Sequence, residues 1–294
     1  MKEAISKASV LIEAMPYIQE FRDKIVVIKF GGSAMLDEGT MRNVLRDIVL
    51  MELVGMQPVL IHGGGSAISE EMKKKGKKPV FAHGLRVTDG ETIKIVQKTL
   101  FEVVNKKLVK IIAEFGGIAE PLSGEKDKII EAKKKKVFDP GNPEKEIDMG
   151  FAGDVEKAHV ARLKNICSDG KIPVIAPLGY NKKDETFNVN ADHAAAEIAA
   201  ALKAEKMVFL TNVRGVIGKR EDKEDYLIPS ITVKEIEKLK QKKVITGGML
   251  PKVESCVHAV KSGVHKTHII DAKIQHSLLL EIFTDKGIGT EILV

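Results

Sequence analysis

Ile25-Val-Val-Ile-Lys29-Phe-Gly31-Gly32-Ser33 is an apolar strand pattern that runs directly into a glycine turn. A second passage of the same kind follows, Pro58-Val-Leu-Ile-His62-Gly63-Gly64-Gly65-Ser66. Each joins a short apolar run to a sequence with helical character, so each predicts strand, tight turn, helix. That unit is how α/β proteins bring backbone N–H groups up to an anion. Lys29 adds a positive charge at the end of the first strand, beside two glycines. The placement suits a phosphate being transferred.

Working outward from these turns, the pattern repeats. A helix is predicted around 40–54, where Met41, Val44, Leu45 and Ile48 fall at i, i+3, i+4 and i+7. The strand at 58–61 leads to a helix from near Ser66 to near Gly76. Residues 79–88 read as extended and 89–114 as one long helix. Residues 118–150 read as short strands and turns, and 154–169 as a helix before the buried strand Ile172–Ala176. Asn188-Val-Asn-Ala-Asp192 opens an alanine-rich helix to about 203. A strand at 207–211, a turn at 212–215 and a charged loop at 219–225 follow. Helices at 232–240, 249–262 and near 275–283, with strands at 265–270 and near 289–293, complete the chain. Repeated strand–helix alternation predicts a mostly parallel open sheet with helices on both faces. Ahead of it, Ala8, Leu11, Ile12, Met15 and Ile18 follow helical spacing, interrupted by Pro16. Residues 1–24 therefore read as a kinked helix outside the core sheet, folded on its own domain or packed on a neighbouring subunit.

The 294 residues allow one large domain or two lobes. With 44% hydrophobic and 30% charged residues, the composition is that of a soluble globular protein. No apolar run reaches the roughly 18–20 residues of a membrane span. No secretory signal pattern is present at the N-terminus, and Cys167 and Cys256 form no disulfide or metal spacing. A reducing cytoplasm is the expected compartment. The net charge of +6 fits an anionic small ligand. Aromatic content of 4% with no tryptophan counts against single-strand nucleic-acid binding. The lysine run 133–136 reads as a solvated hairpin tip.

Strands of an open parallel sheet deliver ligands to their C-terminal edge. Lys29, the two glycine turns and Thr211 all follow strand ends and are expected to converge there. The P-loop pattern, the complete dinucleotide fingerprint and the protein-kinase markers are absent. Lys252, in the first turn after Thr246-Gly247-Gly248-Met249, opposes the helix dipole, a local rule broken in the way functional sites break rules. Asp192 is placed to cap its helix. Asn188 and Asn190 share one side of an extended segment. Arg86 is suited to a bidentate carboxylate contact. No carboxylate cluster suggests a protein ligand for a metal.

Together these segments resemble the amino acid kinase family, in particular its branch acting on N-acetyl-L-glutamate. The resemblance rests on Ile28-Lys-Phe-Gly-Gly32, His62-Gly-Gly-Gly65, Gly84-Leu-Arg-Val-Thr88, Asn188-Val-Asn-Ala-Asp192, Leu210-Thr211 with Val213 and Gly215, and Thr246-Gly-Gly-Met249 with Lys252. It implies a three-layer α/β/α sandwich and transfer of the γ-phosphoryl of ATP, with Mg²⁺, to the side-chain carboxylate of the acyl amino acid. It implies an N-terminal lobe at 25–185 for the acceptor and dimerisation, and a C-terminal lobe at 186–294 for ATP. By position, Lys29 and Lys252 would flank the phosphoryl group, with Asp192 orienting both. Gly31, Gly32, Gly64 and Gly65 would supply N–H groups; Arg86, Asn188 and Asn190 would hold the acceptor. Thr211, Gly215 and Gly248 would border the nucleotide. Asn212 stands where the family commonly has aspartate.

Arginine-inhibited members resemble the chain at its N-terminal helix and its C-terminal stretch. The resemblance implies an L-arginine site formed by Tyr17, Lys206, His268, Glu281, Thr284 and Gly287, and a hexamer built as a trimer of dimers through residues 1–24. The competing expectations are a family member acting on aspartate, glutamate, carbamate or a nucleoside monophosphate, and an amino-acid-binding regulator without catalysis. A signalling protein as a further partner is left open.

Overall fold

The computed structural model describes residues 1–139, 141–219, 225–284 and 287–294. Its centre is an eight-stranded sheet of β1 (Ile25–Phe30), β2 (Gln57–His62), β3 (Ala119–Ser123), β4 (Ile172–Ala176), β5 (Lys206–Thr211), β6 (Ser230–Thr232), β7 (Lys266–Asp271) and β8 (Thr290–Leu293). They lie in the order β6-β8-β7-β5-β1-β2-β4-β3. Every pairing is parallel except that of β7 with β8. The α-helices are α1 (Lys2–Phe21), α2 (Glu38–Leu53), α3 (Gly65–Lys74), α4 (Gly90–Gln97), α5 (Lys106–Glu114), α6 (Ala161–Ser168), α7 (Ala191–Leu202), α8 (Val233–Gln241), α9 (Leu250–Lys261) and α10 (Ser277–Phe283).

The sheet is buried on both faces, which is why its strands are continuously apolar. Val26, Ile28 and Phe30 of β1 join a core with Met41, Val44, Leu45 and Ile48 of α2, Leu108 and Ile112 of α5, and Leu278 and Ile282 of α10. Val27 points the other way, into a core with Leu163 of α6, the alanines of α7, Ile236 of α8 and Val253 of α9. The expected three-layer α/β/α arrangement results. Fully buried side chains such as Phe30, Phe209, Leu45 and Ile48 each stabilise it by about 1.5–3 kcal/mol.

Local signals fix the ends of several elements. Asp37 caps α2 by accepting from Thr40 N at 2.7 Å. Thr232 and Glu235 form a capping box at α8. Proline is tolerated within α1 at Pro16. Of the predicted amphipathic set there, Leu11, Ile12 and Met15 are exposed, with Val10, while Phe21 enters the core. The side chain of Ala8 lies outside the described residues.

One predicted element is corrected and two are refined. The stretch 154–169 is a strand, Ala152–Ala158, followed by α6; Ala152 and Val155 are buried in two different clusters, one on each side of the strand. With Ile130–Lys134, Leu178–Tyr180 and Thr186–Val189 this strand closes a small barrel. The long helix from 89 contains a π-helical stretch, Lys98–Asn105, between α4 and α5. The extended 79–88 segment is a short hairpin of Phe81–Ala82 with Leu85–Arg86. Of the predicted loop at 219–225, the end residues Lys219 and Asp225 close two paired strands, Ile217–Lys219 and Asp225–Leu227; residues 220–224 lie outside the described residues.

Candidate active site

β1 and β2 run parallel in register, Phe30 opposite His62, so their glycine turns leave the sheet side by side. Gly63 N donates to Phe30 O at 2.7 Å. The turns touch backbone to backbone: a Cβ on Gly63 would sit 3.2 Å from the Gly31 Cα. The Lys29 side chain folds back across Gly31, where a Cβ would lie 2.6 Å from its Nζ. Side chains on either glycine would therefore wedge the turns apart or displace the lysine.

These turns border a cleft of about 900 Å³. Of the predicted site residues, it brings together Lys29, Gly32, Gly64, Gly65, Arg86, Asn188, Asn190 and Asp192. Lys29 lies on the face of β1 covered by α7. The small side chains of Ala194, Ala195 and Ala199, all buried, let that helix approach closely. Asp192, in the first turn of α7, meets the lysine there: Lys29 Nζ lies 2.7 Å from Asp192 Oδ1. Lys252, in the first turn of α9, reaches the other oxygen, its Nζ 3.1 Å from Asp192 Oδ2. Burial pushes the Asp192 pKa up, but the Lys29 and Lys252 charges outweigh it and hold the carboxyl below its ordinary value. The cap of α7 is Asn190, whose Oδ1 accepts from Asp192 N at 2.8 Å and His193 N at 3.2 Å. This corrects the capping role expected of Asp192, whose carboxylate is left to the lysines.

Arg86 is buried and held in a fixed pose. Its Nη2 donates to Gly65 O and Ser69 Oγ, both at 2.8 Å. Nη1 lies 3.1 Å from Met72 Sδ, and the guanidinium stacks on Phe81 at 4.8 Å. Asn188 Nδ2 donates to Thr88 Oγ1 at 3.2 Å, and Thr88 Oγ1 donates to Arg86 O at 3.0 Å. Arg86, Thr88 and Asn188 are thus one connected set.

Gly31, Thr211, Gly215, Gly248 and Lys252 lie outside the lining of this cleft, Lys252 being tied to it through Asp192. Thr211 closes β5 and its Oγ1 accepts from Val213 N at 3.2 Å. Gly215 has φ +142° and a Cβ there would strike Thr290. Thr290 Oγ1 in turn accepts from Val216 N and donates to Ile228 O. Gly248 sits in the short 3-10 turn before α9.

The cleft also holds residues the sequence reading passed over. Lys135, from the lysine run read as a hairpin tip, lines it and pairs with Asp154, which lines it too. Its neighbours Lys133 and Lys134 are exposed, as expected of that run. His193 and His258 stand at the cleft and flank Glu197, at 3.5 and 2.9 Å. Among the described residues no group of three or more His, Cys, Asp and Glu side chains is placed to hold a metal ion.

A second cluster forms across the sheet, away from the cleft. His268 Nδ1 lies 2.7 Å from Glu281 Oε1, both groups buried. Ile288 N donates to Glu281 Oε2 at 3.1 Å. A Cβ on Gly287 would lie 3.9 Å from Glu281 Oε1. Lys206 stands 4.5 Å over the Phe21 ring at the end of α1. Burial lowers the Lys206 pKa, opposed by the Glu281 charge. Burial raises that of Glu281, but the His268 hydrogen bond and nearby charge bring it below its ordinary value. Thr284 Oγ1 donates to Leu280 O at 2.6 Å, and Tyr17 is half-buried on α1.

The chain resembles proteins of known identity along its whole length. It is 46% identical to an acetylglutamate kinase of Heliobacterium modesticaldum, covering 100% of both chains. It is 47% identical to an acetylglutamate kinase of Pelotomaculum thermopropionicum, covering 97% of each. Among solved structures, it superposes on N-acetylglutamate synthase from Neisseria gonorrhoeae. For that enzyme complexed with coenzyme A and N-acetyl-glutamate the TM-score is 0.82 at 29% identity, covering 98% of this chain. The match spans 63% of the synthase chain. The complex of the synthase with coenzyme A and L-arginine gives 0.78 at 29% identity, covering 97% of this chain and 65% of the synthase. The amino acid kinase family model matches residues 24–271, the span that carries the glycine turns, Asp192 and both lysines, and the chain belongs to the amino acid kinase family.

Proposed function

We propose that this chain transfers the γ-phosphoryl group of ATP to the side-chain carboxylate of N-acetyl-L-glutamate, giving N-acetyl-L-glutamyl 5-phosphate in arginine biosynthesis. The observation that carries the reading is the pair of lysines on the two oxygens of buried Asp192, beside two glycine turns in one cleft. Full-length relatives named acetylglutamate kinase at 46–47% identity support the choice of acceptor.

The attacking carboxylate is already ionised at neutral pH, with a reference pKa of about 4.3. No general base is needed. One acceptor oxygen bonds to Pγ as the Pγ–O bond to the β-phosphate breaks, and ADP departs. The chain's task is to position the partners and stabilise spreading negative charge. Lys29 and Lys252 do the second, held in place by Asp192. The unpaired N–H groups at the head of α3, from Gly64 and Gly65, add to them. Arg86, fixed by Ser69 and Gly65, orients the acceptor with Asn188 and Asn190. Gly31 and Gly32 border the phosphates, and Thr211, Gly215 and Gly248 the nucleotide. Mg²⁺, bound to the ATP phosphates, neutralises part of their charge. On this reading residues 25–185 form the acceptor lobe and 186–294 the nucleotide lobe.

We further propose L-arginine as a feedback inhibitor at the cluster of Lys206, His268 and Glu281, with Tyr17, Thr284 and Gly287 at its edge. Glu281 offers a carboxylate to a guanidinium. The similarity to a synthase solved with L-arginine supports this. The exposed apolar residues Val10, Leu11, Ile12 and Met15 of α1 support a role for that helix in joining dimers into a hexamer. No helix among the described residues is long and apolar enough to cross a membrane; the cytoplasm is the proposed compartment.

The test is ADP release from MgATP with N-acetyl-L-glutamate, beside glutamate, aspartate and carbamate, with and without L-arginine. Turnover confined to N-acetyl-L-glutamate and suppressed by arginine is the expected result. Turnover of another acceptor alone, or binding with none, overturns the assignment.

A further inference from the structure

His62 closes β2 and is wholly buried, and the reaction above gives it no task. Both of its ring nitrogens are engaged. Nδ1 lies 2.8 Å from the carbonyl oxygen of Gly63, and Nε2 lies 3.1 Å from Asn105 Nδ2. The Asn105 amide is itself oriented, because Nδ2 donates to Val174 O at 2.8 Å. A carbonyl only accepts, so the nitrogen of the amide must face this side. Its second N–H then points at His62 Nε2 at 3.1 Å, nearer than the Leu122 carbonyl at 3.4 Å, and Nε2 is the bare acceptor. The ring proton sits on Nδ1 and is donated to Gly63 O. Burial pushes the His62 pKa down to about 4, so the ring stays neutral at physiological pH, as this tautomer requires.

A trans peptide points its C=O and N–H in opposite directions. With the Gly63 carbonyl drawn onto the buried ring, the Gly64 N–H is turned away from it. That is the side on which Gly63, Gly64 and Gly65 line the cleft. A peptide between two glycines rotates at little steric cost, so the sequence alone leaves its direction open. The π-helical stretch Lys98–Asn105 removes that freedom twice. Asn105 holds the ring, and Leu100 packs where a Cβ of Gly64 would be. π-Helical turns recur at functional sites.

We propose that His62, fixed by Asn105, is a positioning residue that aims the Gly64 N–H at the transferring phosphoryl group. The donor is then preorganised before the substrates arrive. The inference rests on the phosphoryl-transfer reading above.

Two near-isosteric variants separate positioning from packing. In His62→Asn the side-chain nitrogen falls near the place of Nδ1 and keeps the bond to Gly63 O. In His62→Gln the polar end falls near Nε2, meets Asn105 and leaves Gly63 O without its donor. His62→Gln is expected to lower kcat about 10-fold or more with KM for N-acetyl-L-glutamate within about 3-fold. His62→Asn is expected to retain kcat within about 3-fold of the parent. Crystal structures of the variants without substrate should show the 63–64 peptide rotated in His62→Gln and unrotated in His62→Asn. An unrotated peptide in His62→Gln overturns the proposal, as does a kcat loss that follows thermal stability equally in both variants. The crystallographic arm stands apart from the acceptor: a parent enzyme inert toward N-acetyl-L-glutamate would sink the reaction assignment, while the peptide orientation still decides the role of His62.

Discussion

Lys29 and Lys252 approach each other across most of the chain's length to share one buried carboxylate, Asp192, each on its own oxygen. Among the described residues neither lysine is paired to any other acid. Two like charges are therefore held close by a single opposite one. The net positive charge left over lies around Asp192, which lines the cleft with Lys29. An anion that enters completes the balance, and a transition state with more spread charge completes it better.

Lys29→Ala and Lys252→Ala should each lower kcat by roughly 10²-fold or more, as expected for groups that stabilise developing charge. Steady-state kinetics with saturating MgATP and acceptor measures this. Asp192→Asn should also lose kcat, because the lysines then repel without a mediator. A normal kcat in Lys252→Ala removes that residue from the mechanism. The same group sets an acid limit on the fold. The folded pKa of Asp192 lies below its unfolded value of about 3.9, so its contribution to stability is present above that pH. It is lost as pH falls through the folded value.

Arg86→Ala should mainly raise KM for the acceptor, by about 10–100-fold, with a smaller change in kcat. Ser69→Ala should raise the same KM only several-fold, since Gly65 O still holds Nη2. Arg86→Lys should behave like the alanine variant, because a single ammonium cannot reproduce the fork. Equal KM values for Arg86→Lys and the parent would show that charge alone suffices.

Asp47 gives a pH signature with the opposite sign. It is buried on α2 and meets His276 Nδ1 at 2.7 Å. Burial raises its pKa to about 6, with the His276 hydrogen bond opposing. A carboxyl whose folded pKa exceeds its unfolded one contributes stability fully below the unfolded value of about 3.9. That contribution is lost as pH rises through 6. Asp47→Asn, which stays neutral, should therefore be more stable than the parent above pH 6, by on the order of 1 kcal/mol. Its advantage should shrink toward pH 4. Thermal melts across that range decide it, and a pH-independent difference removes the titration from the account.

Glu281→Gln should abolish arginine inhibition while leaving turnover intact, because Glu281 lies away from the cleft. Deleting residues 1–20 should reduce the assembly to dimers, as measured by light scattering. A truncated chain that remains hexameric would falsify the role given to α1.

The central sheet was legible because its strands are short, apolar and bounded by glycine. The lysines were legible because each breaks a local rule, one at the end of a buried strand and one at a helix N-terminus. What stayed hidden depends on contacts distant in sequence. Lys135 looks like its neighbours Lys133 and Lys134, and only the small barrel turns it into the cleft beside Asp154. The strand Ala152–Ala158 was read as helix because Leu163, Ile166 and Cys167 impose helical spacing just after it. Asn190, not Asp192, caps α7: both are good caps, and only the lysines claim the aspartate. The π-helical turn adds nothing to composition or period that a reader of sequence could see. His62 carried a signal, a polar residue closing an apolar strand, but its partner Asn105 is distant in the chain.

The order of the central sheet also bears on how the molecule is made. β1, among the first segments to emerge during synthesis, sits between β2, which follows soon after, and β5, which comes only at residues 206–211. Until β5 leaves the ribosome, β1 carries one bare hydrogen-bonding edge on an apolar strand, the kind of edge that recruits wrong partners. Asp192 has by then emerged, and Lys252 comes last. A nascent chain thus acquires its neutralising carboxylate before its second lysine, and the excess positive charge around Asp192 returns only once α9 has been made.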